Sequence, residues 1–131
     1  MSLLLDTNIC IGFLNQKDAK LKARIQRTAP GELRLCSVVK AELLFGARNG
    51  SRAPENLRRL DRFFEAFESL PFDDDAAHEY GLLRTELRRA GKPIGANDML
   101  IAAIALAHRA TLVTRDDDDF LRVPGLRVES W

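Results

Sequence analysis

Short apolar runs alternate with segments of helical spacing along this chain, and that alternation constrains its fold more than any other feature. Leu3–Asp6 is an apolar run that ends in an acid. Leu33–Cys36 alternates apolar and polar residues, and Thr111–Thr114 has a β-branched bias. Runs of this length read as strands. Between them, Thr7–Leu14 carries Ile9, Phe13 and Leu14 at helical spacing, and Ala19–Arg27 is a charged surface helix with Leu21 and Ile25 at i, i+4. Ala29-Pro30-Gly31 breaks that helix. Ser37 is placed to cap the next helix, with Val38, Ala41 and Phe45 on one apolar face. Leu57, Leu60, Phe63, Phe64 and Phe67 recur at spacings of three and four, which predicts an amphipathic helix.

The second half repeats the alternation. Ser69–Phe72 reads as a short strand, and Asp74 opens a long helix through Tyr80, Leu83 and Leu87 that ends near Gly91. Asn97–Arg109 is apolar almost all round, so this helix should be central. Asp117–Leu121 forms one turn, and Leu126–Glu129 is a last strand after Pro124-Gly125. The pattern predicts one α/β domain over residues 1–131, with a mostly parallel central sheet and helices on both faces. In such sheets, sites form at the carboxyl ends of the strands.

Composition narrows the class. A chain of 131 residues with 46% hydrophobic and 30% charged residues buries one core without staples and reads as soluble and globular. The net charge of +1 gives the molecule no overall preference, but the charges are uneven. Acids bunch at 73–75 and 116–119, and bases at Lys20–Arg27, Arg48–Arg62 and Arg84–Lys92. Basic surface around an acidic pocket suits a polyanion, although any one basic cluster is equally well a solvated helix face. Cys10 and Cys36 form no metal-spacing motif and no disulfide framework, which fits small core residues in a reduced, cytoplasmic protein. The N-terminal run is too short for a signal peptide, and no segment reaches the length of a membrane span. His78 and His108 have no ligand spacing and read as structural.

Four acidic positions stand beside apolar sequence. Asp6 ends the first run, Glu42 interrupts the stripe of Ser37–Ala47, Asp98 opens Met99–Ala107, and Asp116 follows Leu112-Val113-Thr114 and begins the tetrad Asp116–Asp119. A carboxylate beside a core is costly unless it is paired or bound to a metal. Singly, each has a plain reading: Asp6 and Asp98 as helix caps, Glu42 as an ion-pair partner, the tetrad as a solvated turn. Jointly, they fall on one rim of the expected sheet. Oxygen-donor clusters of this kind hold hard divalent cations, which position water and stabilise a phosphoryl transition state. The sequence offers no supported Ser-His-Asp or Cys-His nucleophile and no glycine-rich phosphate loop.

Leu4-Leu5-Asp6-Thr7-Asn8, Ser37-Val38-Val39-Lys40-Ala41-Glu42-Leu43, Gly95-Ala96-Asn97-Asp98 and Thr114-Arg115-Asp116…Asp119-Phe120 together resemble PIN-domain ribonucleases, in order and along the whole chain. Including the ending Arg122-Val123-Pro124-Gly125-Leu126, the chain is most similar to VapC-type toxins of bacterial toxin–antitoxin pairs. The resemblance implies a three-layer α/β/α fold and Mg²⁺- or Mn²⁺-dependent cleavage of structured RNA such as tRNA or rRNA. It also implies a homodimer and inhibition by a cognate VapB-like antitoxin. Carried over by position, Asp6, Glu42 and Asp98 match the first three acids of the family. Asp6, Asp98 and Asp116 are then the expected metal ligands, with Thr7 and Asp119 as secondary metal-site residues and Glu42 as a ligand, base or orienter of water. The fourth acid is open between Asp116 and Asp119, because this chain is acidic at both. Ala96 stands where relatives often carry proline, a change that should leave Asp98 in place.

A different class remains as the alternative: a non-catalytic, receiver-like phosphoacceptor or Mg²⁺-binding module. The absence of a suitable lysine after a late strand counts against it, and Glu42 has no place in that scheme. The expectation of RNA over DNA as substrate rests on the resemblance.

Overall fold

Leu3, Leu4 and Leu5 are each buried, and they form β1 (Leu3–Leu5) at the centre of the sheet. In the computed structural model every residue is described except Asp116, and Asp117 is described by its backbone only. After β1 come α1 (Thr7–Leu14), α2 (Ala19–Arg27), a 3-10 turn (Pro30–Glu32), β2 (Leu33–Cys36), α3 (Ser37–Arg48), α4 (Ala53–Glu65) and β3 (Glu68–Leu70). The chain continues through α5 (Asp74–Arg89), α6 (Ala96–Ala107), β4 (Thr111–Thr114), the short α7 (Asp117–Phe120) and β5 (Val128–Ser130).

The described strands lie in the order β3-β2-β1-β4-β5, and every neighbouring pair is parallel. The expected mostly parallel sheet is therefore wholly parallel among the described residues, in a three-layer α/β/α arrangement. An apolar β1 is what such a sheet demands, since its central strand has no wet face. The topology has one consequence that matters for function. All strand carboxyl ends share one edge, and the helices that return to the next strand begin at that edge. Asp6, the starts of α1, α3 and α6, and α7 all fall there.

α6 is the central helix that its composition predicts, with Ile101–Ala105 wholly buried. α5 ends as Gly91 predicts. Gly91 takes φ +67°, its N–H donates to Arg88 O at 3.1 Å, and Lys92 N–H donates to Leu87 O at 3.0 Å.

Details differ from the sequence reading, among them the short strand expected at Ser69–Phe72, which is Glu68–Leu70. Ser37 is the first helical residue rather than the cap; extended Cys36 holds the cap position without a side-chain bond, because β2 runs straight into α3. The buried stripe of α3 is Val39, Leu43 and Ala47, whereas Phe45 is 70% exposed and Ala41 is exposed. Apolar residues at 38–39 and 43–45 give α3 two plausible faces, and the sheet selects the one that interlocks with it. The last strand begins at Val128 because Leu126 N–H is used in a turn back to Val123 O, with Gly125 at φ +80°.

Candidate active site

Asp6 is placed by backbone first. Its N–H donates to Val113 O at 2.9 Å, extending the β1–β4 ladder by one residue. The chain then turns into α1, for which Asp6 is the N-cap: Oδ1 accepts from Thr7 N–H at 2.8 Å. Oδ2 accepts from the Thr114 hydroxyl at 2.8 Å. Both carboxylate oxygens are thereby aimed, and the residue is only 5% exposed. Thr114, itself fully buried at the end of β4, also accepts from Asn8 Nδ2 at 3.3 Å, and Asn8 Oδ1 accepts from Arg115 N–H at 3.3 Å.

Glu42 reaches this centre from α3. Its Oε1 accepts from the Thr7 hydroxyl at 3.1 Å. Burial raises its proton affinity, the charge of Asp6 raises it further, and the Thr7 hydroxyl opposes both. Among the described residues no lysine or arginine pairs with Glu42. Asp98 lies half-buried in the first turn of α6, with Oδ2 3.6 Å from where a Cβ on Gly95 would sit, so its carboxylate folds back over the helix start. Asp119, on α7, is 3.5 Å from the Arg122 guanidinium. Asp116 lies outside the described residues. His78 is exposed and His108 sits 3.6 Å from Asp73; neither enters this centre.

The structure thus couples Asp6 and Glu42 through Thr7, and its topology sets Asp98 and Asp119 on the same edge. Among the described residues, no three acid, histidine or cysteine side chains are gathered as a complete metal-binding group. The donors that are present, two carboxylates and a threonine hydroxyl, are hard oxygens, and the repulsion between Asp6 and Glu42 is what a cation relieves. They fit a hard divalent ion as part of its shell. Thr114 and Asn8 were not legible as site residues. Both lie within the segments that carry the resemblance, Leu4-Leu5-Asp6-Thr7-Asn8 and Thr114-Arg115-Asp116, but neither is ionisable, so residue type alone did not mark them.

An all-parallel sheet with an acidic carboxyl edge of this form defines a class: the chain belongs to the PIN domain family, whose model matches residues 3–126. Within that family it is 37% identical to ribonuclease VapC2 of Rickettsia felis, over 100% of this chain and 98% of that one. It is 35% identical to the tRNA(fMet)-specific endonuclease VapC of Shigella flexneri, again over 100% and 98%. The solved structure of VapBC2 from Rickettsia felis, bound to a DNA fragment from their promoter, superposes with a TM-score of 0.94 at 36% identity, covering 100% of this chain and 99% of that one. The protein is accordingly a VapC-type nuclease, a hydrolase of a family whose nucleases are generally metal-dependent. The phosphoacceptor alternative is not favoured.

Proposed function

We propose that this protein is the toxin of a toxin–antitoxin pair and hydrolyses phosphodiester bonds in structured RNA, using Mg²⁺ or Mn²⁺ held at the acidic edge. The observation that carries this reading is the buried Asp6 carboxylate, fixed at both oxygens and coupled to Glu42. In it Asp6, Asp98 and the acid at 116 or 119 hold the cation, with Thr7 beside them. When bound, the cation supplies Lewis acidity toward water and toward the scissile phosphoryl oxygen. Glu42 has one oxygen engaged by Thr7, and its other oxygen takes a proton from the attacking water. Its raised proton affinity suits that task. Thr7, Thr114 and Asn8 keep the two carboxylates from turning away. Attack of water at phosphorus breaks the P–O3′ bond, and the departing 3′-oxygen takes a proton from solvent, which gives a 5′-phosphate and a 3′-hydroxyl.

The partner in this reading is a VapB-like antitoxin. An apolar cavity of about 300 Å³ between α1, α3 and α4 is lined by Ile11, Leu14, Leu43 and Leu60 together with Glu42 and Arg59. Ile11 and Phe45 are exposed at 46% and 70%. A partner seated there covers Glu42 and shuts the site. The same reading brings a homodimer and a cytoplasmic setting; no described helix is long and apolar enough to cross a membrane. Incubating total RNA with the purified protein, with and without EDTA, tests the activity. Mapping of new RNA 5′ ends then names the target. RNA left intact in Mn²⁺, or cut equally in EDTA, overturns the reading.

A further inference from the structure

Beside the acidic edge, α1, the start of α2 and Arg115 border an open hollow of about 650 Å³, whose lining includes Asn8, Asn15, Lys17, Asp18, Lys20 and Arg115. A second hollow, of about 460 Å³, shares Asp18 and Lys20 and continues past Arg24 and Arg27 to Trp131. Lys20, Arg24 and Arg27 stand at i, i+4 and i+7, one face of α2 that spans roughly 10 Å. Among the described residues Lys17, Lys20 and Arg27 make no ion pair. The acids nearby are already engaged. Asp18 caps α2 through Leu21 N–H at 3.0 Å and pairs with the Arg115 guanidinium, and Glu129 accepts from Trp131 Nε1 at 3.1 Å.

This basic stripe is joined to the acid centre. Asn8 lines the first hollow, and its side chain bonds the Thr114 hydroxyl that bonds Asp6. Arg115 is the next residue along. Gly12 lets its guanidinium cross α1: a Cβ there would stand 3.3 Å from Arg115 Cζ and 2.9 Å from Leu21 Cδ2. Arg115 is thus held ready by Asp18.

We infer that the two hollows form the track for the RNA backbone on one side of the cleaved bond. Lys17, Lys20 and Arg27 neutralise phosphates along it, and Arg115 positions the phosphate nearest the acid centre. A row of cations leading to a carboxylate site solves an electrostatic problem, since the acids alone repel the strand they are to cut. The inference rests on the nuclease reading above and names how that site receives its substrate.

The test is binding of an end-labelled single-stranded RNA oligonucleotide, followed by anisotropy in EDTA so that no cleavage intervenes. Lys17→Ala/Lys20→Ala should weaken binding about tenfold and flatten the slope of log K against log salt by about 1.4, two contacts at about 0.7 each. Its melting temperature should stay at the parent value, and in Mn²⁺ its KM should rise with kcat kept. Arg58→Ala/Arg89→Ala removes the same charge from residues that line neither hollow, and should change neither affinity nor slope. Parent-like affinity and slope in the lysine variant, from a parent that cleaves RNA, overturn the track alone. A parent that neither binds nor cuts RNA brings down the nuclease reading and the track together. Lost retention of the co-expressed antitoxin with RNA binding intact assigns the surface to the protein partner and overturns the track.

Discussion

Asp6 depends on a residue 108 positions away, for the Thr114 hydroxyl is what orients its Oδ2. Thr114→Val keeps the shape of a buried β-branched side chain and removes that bond. Cleavage should fall about 10- to 100-fold, as when a supporting partner of a metal ligand is lost, while Asp6→Asn should leave none above background. Steady-state cleavage assays on variants shown to be folded by circular dichroism check both, and a Thr114→Val enzyme with parent rates would remove Thr114 from the machinery. Glu42 gives a pH dependence whose sign is fixed. Burial, then the charge of Asp6, raises its proton affinity in the folded state, so the native protein binds more protons than the unfolded one. Its contribution to stability is present at low pH and lost as pH rises from the ordinary glutamate range through the raised value. Melting followed against pH in EDTA should show that decline, and Glu42→Gln should flatten it. Cleavage in Mn²⁺ should also rise with pH as the carboxylate becomes available to accept a proton, but in a window below that of the metal-free melting curve, because a nearby cation favours the ionised carboxylate.

α3 and α4 divide their apolar residues between core and surface. Phe63 is buried, with ring centroids 5.8 Å from Phe13 and 5.2 Å from Phe67, whereas Phe45 on α3 stands largely in solvent. Truncation at Phe63 should cost about 3–5 kcal/mol, and Phe45→Ser within about 0.5 kcal/mol. Phe45→Ser should nevertheless lose retention of the antitoxin. Denaturant unfolding and co-purification separate the two effects, and full retention by Phe45→Ser would take that residue out of the docking surface. Elements of this kind were legible in the sequence where one force acts alone. Leu3–Leu5 and Thr111–Thr114 read as strands from their short length and, in the second, its β-branched bias, and Ile101–Ala105 as central because it has no polar face. The orientation of α3 was not, since its apolar residues cover two adjoining faces and only docking on the sheet decides between them. The acids Asp6 and Glu42 were legible as costly residues; the Thr114–Asn8 support was not, because its bonds join segments 106 to 108 residues apart.

At the scale of the whole molecule, the acidic edge works against the fold that carries it. The charge of Asp6 raises the proton affinity of Glu42 there, a repulsion that the proposed cation would relieve. Mn²⁺ should raise the melting temperature by mass action, by the equivalent of about 2.7 kcal/mol at a hundredfold excess over its dissociation constant. Asp98→Asn should melt higher than the parent in EDTA and respond less to the metal. A thermal scan indifferent to Mn²⁺ would argue that the edge holds no ion.

The two buried thiols turn that opposition into a clock. Cys10 lies in α1, which Asp6 caps, and Cys36 lies just before α3, which carries Glu42. Both are wholly enclosed; burial pushes the Cys36 thiol up to about 11 and Cys10 higher still. In the closed molecule neither forms the thiolate that an alkylating reagent needs, so at neutral pH labelling waits for this part of the chain to open. Where opening and reclosing are fast, the labelling rate counts the open population. Mn²⁺ should slow it, and the number of thiols modified per opening should tell whether α1 and α3 come away from the sheet together.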